Sequence, residues 1–204
     1  VSRETLDRFG VWARLLTEWS DHTNLVSRST LPDFWSRHAL DSWQVLDAVA
    51  RLRPDQPVPS RWLDIGAGAG FPGLALAFTL ADRGLPDAQV ILVESVAKKA
   101  RFLEAVIAET GAPARVLNQR AEALDPGLAV GAVTARAVAP LDTLLRYAHP
   151  FVEKGALAVF PKGRRYVEEL TEARKGWRLD PVVAPSLTDP DAALILLERY
   201  ARGR

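Results

Sequence analysis

The chain has 204 residues, 48% of them apolar, and 26 Lys and Arg stand against 25 Asp and Glu for a net charge of +1. That length suits one compact domain with a sizeable core, and so even a charge balance is not the basic footprint of a nucleic-acid binder. The absence of cysteine excludes disulfides and thiolate metal sites, no apolar run approaches the roughly 20 residues of a membrane span, and Arg3, Glu4, Asp7 and Arg8 interrupt any leader.

Residues 1–52 read as a helical N-terminal cap. Leu6, Phe9, Trp12, Leu16 and Trp19 recur at three- and four-residue steps, the stripe of a first helix. A second helix is expected over 31–50, with Pro32 in its first turn and Phe34, Leu40, Trp43, Leu46 and Val49 as apolar positions. RPDQPVPS (53–60) places three prolines in eight residues and reads as a linker. From residue 61 to 204 strands and helices alternate. Strands are expected at 61–65, 89–94, 114–118, 131–138 and 155–160, and helices at 72–81, 96–110, 141–149 and 166–175, with Gly111 as a helix stop. Two last strands, near 177–183 and 193–200, have no helix between them. The pattern predicts an α/β fold, a mostly parallel sheet covered on both faces, with an antiparallel C-terminal hairpin at one edge.

The stretch WLDIGAGAGFPGLALA (62–77) carries the clearest chemical signal. Four glycines fall within eight residues, at 66, 68, 70 and 73. A plain strand-to-helix turn needs one; four point to a loop that a ligand approaches closely, at the carboxyl end of a strand where such sheets bind ligands. Gly68, Gly70 and Gly73 fit the dinucleotide fingerprint. Asp64 would face a pyrophosphate badly, however, and Pro72 removes an N–H from the helix end that should bind phosphate. An acidic residue beside the loop suits a cationic ligand, and S-adenosylmethionine carries a sulfonium, an ammonium and no phosphate. Glu94, ending the second strand, suits the hydroxyls of a ribose and does not choose between the two ligands. No P-loop pattern is present.

In order along the chain stand NLVS (24–27), RHALDS (37–42), LDIGAGAGFPG (63–73), LVESVAKKARFL (92–103), RAE (120–122), TARAVAPL (134–141) and FPKG (160–163). Together they resemble the bacterial 16S ribosomal RNA guanine-N7 methyltransferases, the glucose-inhibited division protein B or RsmG family. The resemblance implies a Rossmann-like S-adenosylmethionine-dependent methyltransferase fold with a seven-stranded sheet. It implies S-adenosylmethionine as donor and a guanine of 16S ribosomal RNA in the small ribosomal subunit as acceptor. Carried over, the donor site would include Gly66, Phe71, Ala121, Glu122 and Arg136, with Glu94 holding the ribose as in related methyltransferases; Asp64, Gly68 and Gly70 are expected there from the loop itself. Arg136 and Lys162 are expected to orient the guanine or its phosphates as the catalytic pair. His38, Arg164 and Arg165 are expected on the RNA side. The guanine 7-nitrogen has a free lone pair at neutral pH, so a strong general base is not required.

His38, Asp41 and Ser42 lie within about one helical turn, which cannot place a histidine between serine and aspartate as a hydrolase triad needs. Arg37, His38 and Asp41 either line the cleft between cap and sheet or tie the cap to the core. Lys162, Arg164 and Arg165 form the basic group nearest the ligand side; Lys98, Lys99 and Arg101 form a second, and Arg199, Arg202 and Arg204 a third. Charge runs are usually solvated faces. A nicotinamide dehydrogenase, a non-catalytic module that keeps the donor site, and, as the closest enzymatic rival, a methyltransferase acting on a small molecule or protein are the competing readings. The expected protein is a cytoplasmic monomer without a metal ion or membrane contact, acting on the small ribosomal subunit.

Overall fold

The computed structural model describes residues 1–27 and 31–203, apart from the side chain of Arg37, so Arg204 of the third basic group lies outside the described residues. Helix α1 (Arg3–Ser20) starts at Ser2, whose Oγ accepts from the Thr5 N–H at 3.2 Å. Its buried face is Thr5, Phe9, Trp12, Leu15 and Leu16, which keeps Phe9, Trp12 and Leu16 of the expected stripe; Trp19 packs partly buried against the same core, and Leu6 is 49% exposed. In the first turn Thr5 Oγ1 donates to Asp82 at 3.1 Å, so a hydroxyl takes the inner position there and Leu6 lies outside. The second helix divides. A π-helical segment, Phe34–Ala39, leads into α2 (Leu40–Leu52), so Phe34 is buried and Leu40 is 43% exposed, while Val45, Leu46, Ala48 and Val49 form the inner face. Wide turns of this type recur at functional sites, and RHALDS (37–42) overlaps the last three residues of this one.

The strands β1 (Arg61–Ile65), β2 (Gln89–Val93), β3 (Ala114–Leu117), β4 (Ala132–Thr134), β5 (Leu157–Lys162), β6 (Trp177–Leu179), β7 (Val182–Pro185), β8 (Ala193–Leu197) and β9 (Tyr200–Arg202) alternate with α3 (Gly73–Asp82), α4 (Ala97–Thr110), α5 (Leu141–Val152) and α6 (Tyr166–Ala173). Seven strands form one sheet in the order β3-β2-β1-β4-β5-β8-β7. Neighbours from β3 to β5 pair in parallel; β8 is antiparallel to β5 and to β7. This is the mostly parallel sheet with an antiparallel C-terminal hairpin. The expected last two strands each break once. Asp180 and Pro181 interrupt the first, and Glu198 and Arg199 the second. The hairpin therefore leaves the main sheet and continues as a separate β6–β9 pair, since proline cannot supply the ladder N–H.

Each face of the sheet is covered by its own apolar cluster. On one, Trp62 packs with Phe9, Trp12 and Leu16 of α1, Leu46 of α2, Phe78 of α3 and Phe102 of α4. On the other, Leu63 and Ile65 pack with Leu144 and Phe151 of α5 and Leu170 of α6. The alternation of Trp62, Leu63, Asp64 and Ile65 follows the period-two geometry of a strand. Asp64 thereby points to the same face as Trp62, under α3. No helix among the described residues is long and apolar enough to cross a membrane.

Candidate active site

In the sheet order β1 lies between β2 and β4. Chain connections leave β1 in opposite directions there, which opens a crevice at the strands' carboxyl ends. The glycine loop fills the mouth of that crevice. At Gly66, φ is +71° and an added Cβ would stand 2.4 Å from Val138 Cγ2, so only glycine lets the loop after β4 close over it. At Gly73 an added Cβ would stand 2.5 Å from Asp64 Oδ2 and 2.3 Å from Leu92 Cδ2. The bare backbone instead donates its N–H to Asp64 Oδ2 at 2.9 Å. Further N–H groups are also committed inside the chain: Leu74 donates to the Gly70 carbonyl, Gly70 to Ala67, and Gly68 to Glu94 Oε2 at 2.9 Å. The start of α3 is thus turned inward onto a carboxylate, not outward as a phosphate cradle.

Asp64 is fully buried, and among the described residues its Oδ1 has no hydrogen-bond partner. Burial pushes its carboxyl up to about 7, against the opposing pull of the Gly73 N–H and Arg136, with Glu94 adding to the rise. A buried, half-satisfied carboxylate costs free energy unless a donor or cation meets it. Together with the glycine backbone this fits a cationic ligand with no phosphate. Glu94 is also buried, and its oxygens accept from the Gly68 and Val96 N–H groups. Asn118, which the sequence reading did not single out, donates to the Glu94 carbonyl at 2.8 Å. Ala121 and Glu122 lie in a short 3-10 turn after β3. Glu122 is exposed, and its carboxyl is held low by the hydroxyl of Tyr147 at 2.7 Å.

Phe71 is the meeting point of the site. Its ring stacks on His38 at 4.8 Å and 25°, lies 4.4 Å from the Trp12 ring, and has the Arg136 guanidinium 5.0 Å from its centroid. Trp12 Nε1 donates to the Ala69 carbonyl at 3.0 Å, so α1 holds the glycine loop directly. Arg136 sits two residues beyond β4, because that strand ends at Thr134 and not at the expected 138; Ala137 then takes φ +56°. One Arg136 nitrogen donates to Asp41 Oδ2 and another lies 3.3 Å from His38 Nδ1. Asp41 Oδ1 accepts from Gln44 and from Thr188 at 2.8 and 2.7 Å, and Gln44 in turn bonds Ser186 and the Leu187 N–H. This polar network joins α2, the segment after β4 and the loop between β7 and β8. Nothing in the periodicity could have found its last member, which lies 147 residues from Asp41.

The structure therefore brings Asp64, Gly66, Gly68, Gly70, Phe71, Glu94, Arg136 and His38 into one neighbourhood. Lys162 lines the same cavity as Arg136, but its ammonium is paired with Glu169 at 2.6 Å and bonded to the Ala139 carbonyl at 3.2 Å. Arg164 and Arg165 are exposed on the turn into α6 and do not line that cavity.

Solved structures that share this fold include a mutant of MtNAS in complex with S-adenosylmethionine, with a TM-score of 0.61 at 19% identity over 93% of this chain and 72% of that one. Another is the S-adenosylhomocysteine-bound methyltransferase PaMTH1 of Podospora anserina, with a TM-score of 0.58 at 15% identity over 97% and 88%. At such identities they establish the fold, that of the Rossmann-like methyltransferases. Proteins called ribosomal RNA small subunit methyltransferase G are much closer in sequence. That of Rhodospirillum centenum is 46% identical over 202 residues, 98% of this chain and 87% of the relative. That of Paramagnetospirillum magneticum is 44% identical over 204 residues, 100% and 93%. Residues 5–198 match the family model for rRNA small subunit methyltransferase G, GidB, and the chain belongs to that methyltransferase family.

Proposed function

We propose that this chain transfers a methyl group from S-adenosylmethionine to the 7-nitrogen of a guanine in 16S ribosomal RNA of the small ribosomal subunit. The observation that carries the donor half is the buried Asp64 carboxylate under the glycine loop, with one oxygen unpartnered. Support for the acceptor half is the name shared by the relatives, which specifies ribosomal RNA of the small subunit.

S-adenosylmethionine, when bound, supplies a methyl carbon activated by a sulfonium. The chain's own residues hold and orient. Asp64 meets the donor's positive charge. Glu94 keeps lone pairs for ribose hydroxyls beside the two backbone N–H groups it already accepts. Ala121 and Glu122 border the adenine, and Phe71 gives the loop its apolar wall. Because guanine N7 has a free lone pair at neutral pH, no side chain has to remove a proton first. The site works through positioning and a matched electrostatic field. Arg136, fixed by Asp41 and stacked over Phe71, orients the base. Lys162, held by Glu169, adds positive potential, and His38, Arg164 and Arg165 receive the RNA.

The test is to incubate the protein with labelled S-adenosylmethionine and small subunits from cells lacking this gene, then digest the RNA and identify the labelled nucleoside by mass spectrometry. The expected product is 7-methylguanosine at one site. Label in another nucleoside overturns the N7 assignment, and no label with donor binding intact moves the substrate off the ribosome. Arg136→Ala should lose at least about 100-fold in transfer, the scale of an electrostatic positioning group; unchanged transfer would remove Arg136 from the mechanism.

A further inference from the structure

Arg136, whose guanidinium lies 5.0 Å from the Phe71 ring centroid, also lines a cavity of about 270 Å³. Asp41, Gln44, Arg136, Lys162, Thr188 and Asp189 line it. It sits where β5 ends and β8 begins, with Lys162 paired to Ala193 across the strands. The volume suits one purine base and little more.

Most of its polar groups are already committed. Asp41 is taken up by Arg136, Gln44 and Thr188, Gln44 by Asp41, Ser186 and Leu187, and Lys162 by Glu169 and Ala139. Asp189 is the exception. Its Oδ1 accepts the Asp191 N–H at 2.9 Å, and among the described residues it has no ion-pair partner. The cavity thus has a donor side, where Arg136 and Lys162 are each ion-paired, and a carboxylate with acceptor capacity to spare, Asp189.

We propose that this cavity is a guanine-selective base pocket in which Asp189 accepts from the base's N1–H and 2-amino group while the Arg136 side faces O6. The proposal rests on the reading of the chain as a guanine methyltransferase and names the residue that chooses the base. The chemistry of guanine agrees with the layout. Its N1–H and 2-amino group are adjacent donors, and a carboxylate takes two adjacent donors. Its O6 and N7 share the other edge, so an O6 beside Arg136 turns N7 toward Phe71 and the glycine loop. Adenine reverses both terms: its 6-amino group would meet the guanidinium, and its N1 lone pair would meet the carboxylate. A site built on hydrogen bonds rejects the analogue that leaves its groups unpaired. Asp189 makes this choice without touching the donor loop, and its place on the β7–β8 loop leaves the core untouched.

The experiment loads the full chain with S-adenosylhomocysteine and titrates it calorimetrically with guanosine, inosine and adenosine 5′-monophosphates up to about 20 mM. Inosine differs from guanosine only by the missing 2-amino group. The expected result is guanosine monophosphate bound at least about tenfold more tightly than the other two, one good hydrogen-bonded pair's worth. Asp189→Ala should make guanosine and inosine monophosphates equivalent. Asp189→Asn, which keeps an oxygen for the Asp191 N–H, should do the same, because it replaces an acceptor by a donor. S-adenosylhomocysteine affinity should stay within about twofold in both variants. Equal binding of the three nucleotides, a guanosine preference that survives both substitutions, or no nucleotide binding while S-adenosylhomocysteine binds would each overturn the pocket. A retained guanosine preference without methylation of the small subunit would overturn the ribosomal reading and leave the pocket standing.

Discussion

Asp64 is fully buried beneath the glycine loop, and among the described residues one of its oxygens has no hydrogen-bond partner. Its position beside the glycines pointed to a cationic ligand, but its first partner is the chain itself, through the Gly73 N–H. Gly73, which fits a phosphate fingerprint in the sequence, is required because any Cβ would strike Asp64 and Leu92. The carboxyl is pushed up to about 7 by burial, so in the free protein it is increasingly protonated below that pH. A cationic donor needs the ionised form. Donor affinity, measured by calorimetry, should therefore rise by up to about tenfold per pH unit as pH climbs to 7 and level off above it. For stability the sign is opposite. The native state holds this proton from the ordinary value of 3.8 up to about 7, where the unfolded chain does not. Stability from this group accordingly falls as pH rises through that window. Asp64→Asn keeps an oxygen for Gly73, so it should fold normally, bind donor at least about tenfold more weakly at pH 8, and lose the pH slope of binding.

Among the elements, α1 is the one whose role changes most between sequence and structure. Its periodicity marked an apolar stripe, and it is indeed a packing helix, with Phe9, Trp12, Leu15 and Leu16 buried. Trp12 also donates to Ala69 in the middle of the ligand loop and lies against Phe71. Trp12→Phe keeps most of the packing and leaves the buried Ala69 carbonyl without its donor. The expected cost is about 1–3 kcal/mol by urea unfolding, with weaker donor binding as the loop loses its anchor; an unchanged donor affinity would separate α1 from the site. Element boundaries were legible where a local signal set them: β1 at 61–65, and α4 ending at Gly111 with φ +63°. They failed at β4 and in the last two strands. There the chain is apolar enough to extend the strand, but the sheet has no further partner or a proline ends the ladder.

At the scale of the molecule, net charge said little about RNA, because the basic groups are sorted by place. Lys162 is held in an ion pair with Glu169, whereas Arg164 and Arg165 are exposed at the surface on the turn that follows β5. If they meet phosphates, Arg164→Ala with Arg165→Ala should weaken binding of small subunits and lower the slope of log affinity against log salt by about 1 to 2. Donor affinity and melting temperature should not change. A salt slope equal to the parent's would place the RNA on another face.

The sequence by itself determined the α/β alternation and the four-glycine turn after β1, which rest on residue types at short spacing, and the family, which rests on a resemblance carried by seven motifs in order along the chain. Only the tertiary structure decided that Trp12 holds Ala69, that Phe71 is flanked by His38 and Arg136, and that Asp41 joins Arg136 to Thr188. These contacts link residues tens to more than a hundred positions apart. Periodicity reports which face of an element is apolar; it holds no information on which distant side chain completes a hydrogen bond there.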